Sequence, residues 1–150
     1  MAAFARALAL SVAAVVTLHN AASAQTVADT VSRWGLLGTW AIDCSKPVSG
    51  GNGYLSYVIR SPGKVSHERD FGDRQDVNEV QQARTGVGGM LELVVQFPRL
   101  QQTRIFTLHM GPDGRTRAMS NSKIDGSEQS IKDGLFTSNG NPSPWQTRCR

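Results

Sequence analysis

The stretch MLELVVQFPRLQQTRIFTLHM, residues 90–110, decides how the rest of the chain reads. Leu91, Leu93, Val95 and Phe97 recur at every second position. That period puts them on one face of an extended segment. Pro98-Arg99 ends the run, and a second one follows over Thr103–Met110, where Phe106, Leu108 and Met110 alternate with Ile105, Thr107 and His109. Neither run has the three-to-four spacing of an amphipathic helix.

Working outward towards the N-terminus, the same period recurs. Gly86–Gly89 is a turn. Gln75–Arg84 is a polar strand whose apolar positions Val77 and Val80 break the alternation, which predicts a bulge. Val65–Phe71 carries Val65, His67, Arg69 and Phe71 on one face and Ser66, Glu68 and Asp70 on the other. Ser61-Pro62-Gly63-Lys64 is a tight turn, and Tyr54–Arg60 before it aligns Leu55, Tyr57 and Ile59. Lys46–Gly53 is a loop, and Trp40, Ile42 and Cys44 alternate on the first strand. Only Thr26–Leu37 reads as helical, with Val27, Val31 and Trp34 on one stripe.

Towards the C-terminus, Gly111-Pro112-Asp113-Gly114 is a turn, Arg115–Asn121 a strand, Asp125-Gly126 a turn and Glu128–Asp133 a strand. Residues 136–144 are rich in Ser, Asn, Gly and Pro and read as irregular. About eight short strands separated by turns predict an all-β fold, a small antiparallel up-and-down barrel with an N-terminal helical turn. A two-sheet β-sandwich is the alternative.

Residues 1–24 have the order of a secretory signal peptide. Arg6 supplies the only charge, Ala7–Leu18 is almost wholly apolar, and Ala22-Ser23-Ala24 offers small residues for cleavage. The apolar run is shorter than the roughly 20 residues that span a bilayer. Residues 25–150 are therefore expected to form one β-barrel domain, periplasmic or secreted and not membrane-spanning. Cys44 and Cys149, the only two cysteines, are expected to pair in that compartment. The loop so closed is about 100 residues, for which chain entropy gives roughly 4–5 kcal/mol.

The 16 Lys and Arg exceed the 12 Asp and Glu, but they are spread along the chain and interspersed with acids. No basic run follows a phosphate backbone, so nucleic acid is not an expected partner. His67 and His109 fall on different strands, and no metal site or other cofactor is expected. The His67-Glu68-Arg69-Asp70 run divides between two faces and reads as a solvated strand face rather than an acid–base cluster. No Gly-x-Ser-x-Gly is present and both thiols are committed, so the chain is read as non-enzymatic.

Leu36-Leu37-Gly38-Thr39-Trp40 is a helical turn feeding a Gly-x-Trp on the first strand. It resembles the opening of lipocalin-like (calycin) proteins. The resemblance implies an eight-stranded up-and-down barrel in which Gly38 and Trp40 are structural, Trp40 packing across the closed end. The wider pattern adds Asp43-Cys44-Ser45-Lys46-Pro47, Asp125-Gly126 and Pro144-Trp145-Gln146-Thr147-Arg148-Cys149. It is similar to a group of small secreted alphaproteobacterial proteins, a likeness that brings no mechanism with it. The second lipocalin motif, Thr-Asp-Tyr, is absent.

The function expected is to hold a small apolar or amphipathic ligand in the barrel mouth. Tyr57, Leu93 and Phe106 are the candidate lining, with Arg69 or Arg104 as polar anchor. Trp34, Trp40 and Trp145 are expected to share one closed end, leaving a mostly filled interior with at most a shallow cup. The alternative is an envelope protein-interaction module, an inhibitor or accessory factor, acting through residues 48–53 or 136–144.

Overall fold

The computed structural model describes residues 25–149; the expected signal peptide lies outside them. One short helix, α1 (Val27–Trp34), precedes ten strands: β1 (Gly38–Ala41), β2 (Tyr54–Ser61), β3 (Lys64–Asp70), β4 (Gln75–Thr85), β5 (Leu91–Phe97), β6 (Gln102–Met110), β7 (Thr116–Lys123), β8 (Gln129–Lys132), β9 (Leu135–Phe136) and β10 (Thr147–Cys149). All ten belong to one antiparallel up-and-down sheet, ordered β10-β1-β2-β3-β4-β5-β6-β7-β8-β9. The all-β class and the connectivity agree with the sequence reading. The strand count is ten rather than eight, and a single sheet replaces the alternative of two.

The sheet curls but its ladder does not close. β8 and β9 are four and two residues long, so pairing on that side runs out before it reaches β10. The gap is spanned by the isolated bridge Thr116↔Gln146, and Leu135↔Pro142 fastens the chain just before it. Residues 136–144, read as irregular, thus cross from one edge of the sheet to the other. Ser143 is buried there, its hydroxyl donating to the Ala118 carbonyl at 2.5 Å. Cys149 then lies opposite Thr39 in the β1–β10 ladder. The Cys44–Cys149 disulfide forms as expected, its Cα atoms 5.4 Å apart.

The helix is shorter than the Thr26–Leu37 segment read as helical because both ends are capped. Thr26 and Asp29 make a reciprocal capping box, and Gly35 takes the left-handed conformation (φ 88°) that ends the last turn. Leu36 N–H then returns to the Val31 carbonyl at 3.0 Å. The helix packs on β3 and β4. It is pinned by Ala28 N–H on the Gly63 carbonyl and by the Trp34 indole N–H on the Gly89 carbonyl. Its Val31 meets Leu36, Trp40, Val65, Val80, Leu91, Leu93, Val95 and Phe97 in the core.

β4 carries a bulge, but beyond Val80 rather than at the expected Val77–Val80 break, since pairing with β3 runs unbroken there. Val80 faces Val95 while Gln82 faces Val94, leaving Gln81 as the extra residue. Val77 points outward and is 64% exposed, whereas Asn78 is buried. The apolar spacing misled there because the inward position carries an amide. Trp40 is in the core, its indole N–H donating to the Leu36 carbonyl at 2.7 Å and its ring beneath the Arg148 guanidinium. Trp145 does not join it. It sits at the β6–β7 hairpin against His109, Arg115 and Arg117, because the Thr116↔Gln146 bridge holds its neighbour there. Ile59, expected on the inner face, is exposed where β2 runs out past the core. Among the described residues no helix is long and apolar enough to cross a membrane.

Candidate functional site: the interior cavity

The curl of the sheet brings the inner faces of β2, β3, β6, β7 and β8 around a cavity of about 420 Å³, completed by Ser143, Pro144 and Gln146. That is more than a shallow cup and within the roughly 300–1,000 Å³ of small-molecule sites. Alternation decides the lining. β2 contributes Leu55 and Tyr57, β3 His67 and Arg69, β6 Arg104, Phe106 and Leu108, and β7 Thr116 and Ala118. Four of the five expected ligand residues, Tyr57, Arg69, Arg104 and Phe106, therefore meet in one place. Leu93 does not. It is 1% exposed, packs in the core cluster and takes no part in the cavity lining.

One wall is aromatic. His67 stacks on Tyr57 with centroids 4.7 Å apart, and Phe97 and Phe106 each lie 6.1 Å from it. The solvated reading of the 67–70 run is thus overturned for its inward half: His67 is buried. Burial, reinforced by the nearby Arg69 charge, pushes the imidazole pKa down to about 3, so the ring is neutral at physiological pH. Burial likewise raises the Tyr57 phenol, which stays protonated. His67 Nδ1 and the Oδ1 of its cross-strand neighbour Asn78 are buried without a partner among the described residues. His109 lies far from this wall, on the outer surface against Trp145.

Two ion pairs border the wall. Arg69 Nε donates to Asp76 Oδ1 at 2.8 Å, and its Nη2 to Asp76 Oδ2. The guanidinium lies over the Phe97 ring, 4.5 Å from its centroid. Burial raises the Asp76 pKa, but the hydrogen bonds from Arg69 and Asn78 outweigh it and hold the carboxyl below its ordinary value. Arg104 forms the second pair, with Nε on Asn121 Oδ1 at 2.6 Å, Nη1 on Glu128 Oε1 at 2.9 Å and Nη2 on Ser130 Oγ at 3.0 Å. The bonds from Arg104 and Lys123 depress the Glu128 pKa.

Asn121, Glu128 and Ser130 are not among the sequence candidates. β7 and β8, which carry Asn121 and Ser130, have little apolar alternation, and Glu128 lies in the connection between them. The available signal is Arg104 itself, a cation on an otherwise apolar face, which requires polar partners from the adjacent strands.

No protein-family model, curated protein or solved structure matches this chain. The reading of the site therefore rests on its geometry.

Proposed function

We propose that this protein binds a small amphipathic molecule in the interior cavity, without a chemical step, in the periplasm or after secretion. The cavity is the observation that carries the reading. Its apolar lining from Leu36, Tyr57, Phe106, Leu108 and Ala118 matches a hydrocarbon or ring portion. Its polar side, built from Arg69, Arg104, Asn121 and Ser130, matches a head group. The Gly38-Thr39-Trp40 opening, with its resemblance to lipocalin-like proteins, supports the same reading. The Cys44–Cys149 bond and the leader-like composition of residues 1–24 support the location. An open interior favours this function over a filled barrel acting through its rim.

Native mass spectrometry of protein taken from its natural source, without lipid-stripping steps, tests the proposal. The expected result is a reproducible excess mass in the range of a small amphiphile, released on denaturation. A bare polypeptide mass, together with no saturable binding of the apolar fluorophore N-phenylnaphthylamine, would sink it.

A further inference from the structure

Arg104 is the cation whose surroundings go beyond a structural ion pair. Its side chain is 8% exposed. Three of its four side-chain partners, Gln102, Asn121 and Ser130, are neutral. Glu128 is the one carboxylate within ion-pair distance among the described residues. A guanidinium this buried needs an anion, since an unpaired charge away from water is costly. The anion it has is open to solvent. Glu128 is 49% exposed and lies outside the strands, directly after the Asp125–Ser127 turn.

The Glu128 carboxylate also has a second home. Its Oε1 faces Arg104 and its Oε2 lies 3.2 Å from Lys123 Nζ nearer the surface. Letting go of Arg104 leaves it paired with Lys123. Arg104 and Glu128 both line the cavity, so the place vacated adjoins the apolar wall of Tyr57, Phe106 and Leu108. Arg69, the second cation in that lining, spends Nε and Nη2 on Asp76, which balances its charge and leaves Arg104 as the guanidinium whose anion can be exchanged. A neutral head group cannot take over the charge balance of Arg104, and a cationic one would be repelled by it. An anion can take it over through the same charge-assisted bonds.

We infer that the cavity selects an amphiphile with a single anionic head group, and that Glu128 occupies the head-group position on Arg104 until such a molecule displaces it towards Lys123. This rests on the cavity being a binding site, and the test separates the two. Calorimetric titration of the disulfide-bonded protein with octanoate and with octanol compares an anionic and an uncharged head on one tail. The wild type binds octanoate more tightly than octanol. In Glu128→Gln, where the resident carboxylate is gone, octanoate gains about threefold to fivefold in affinity relative to octanol, the scale of a half-exposed ion pair. Arg104→Gln removes the preference for octanoate; should that variant not fold, Glu128→Gln alone decides. Unchanged octanoate affinity relative to octanol in Glu128→Gln, with octanol still bound, overturns the displacement and leaves the cavity as a binding site. If neither compound binds any of the proteins, the binding site itself fails and the inference falls with it.

Discussion

His67 shows how one residue couples the interior to pH. In the unfolded chain its imidazole titrates near 6.5, whereas in the fold burial holds it at about 3. Between those values the unfolded chain binds a proton that the native state refuses. Stability is therefore full above about pH 6.5 and declines as pH falls towards 3, by at most about 1.4 kcal/mol per pH unit from this group. Asp76, with its depressed carboxyl, adds a further loss only at lower pH, below the ordinary carboxylate range. His67→Phe keeps a ring against Tyr57 and removes the titration. Urea unfolding between pH 7 and 4.5 is expected to show a clearly flatter pH dependence in the variant; identical slopes would mean that the native imidazole takes up the proton freely. Gly53 acts at the same scale in a different way. A Cβ there would lie 2.4 Å from the Phe71 ring, which is why the loop enters β2 through glycine.

Among the elements, β10 has little ladder of its own. It has three residues and pairs with β1 alone. The disulfide, the Thr116↔Gln146 bridge and the Arg148 contacts with Trp40 and the Gly35 carbonyl hold it in place. Replacing Cys44 and Cys149 together by serine is expected to cost about 2–4 kcal/mol. Hydrogen exchange should locate the loss: the Ser143 and Gln146 amides, bonded to the Gly134 and Thr116 carbonyls, lose protection before those of β5 and β6. Uniform loss across the sheet would show instead that the bond acts on the whole fold at once. The strands differ in legibility for the same reason. β5 reads directly because its inward residues are all apolar, and β4 reads only through its broken alternation, since Asn78 takes an inward place.

For the whole molecule, the open question in the sequence is how much of the interior the side chains fill. Summed apolar residues do not answer it, because Leu91, Leu93 and Val95 pack in one core cluster with the helix residues Ala28 and Val31, while the inner faces of β2, β3, β6 and β7 still enclose a cavity. Ala118, half-buried in the cavity wall, offers a check. Ala118→Phe is expected to fill space that exists, leaving stability within about 1 kcal/mol of wild type while abolishing saturable N-phenylnaphthylamine binding. Insertion into a closed core would instead cost about 1–3 kcal/mol. Thermal unfolding and the dye titration, made on the same preparation, read both.

The sequence by itself determined the all-β class, the helix at its start, the inward faces of β5 and β6 and the cysteine pairing. These follow from period-two alternation, turn residues and a count of two thiols, all of which act locally or leave one choice. The candidate site was legible where a polar residue interrupts an apolar face, as at Arg69 and Arg104. Only the tertiary structure decided that Leu93 leaves the lining, that Trp145 sits outside, that the ladder stays open beside β9, and that Glu128 reaches Arg104. Each depends on the curl of the sheet, which brings together residues far apart in the chain, and no local pattern encodes which strand's inner face meets which.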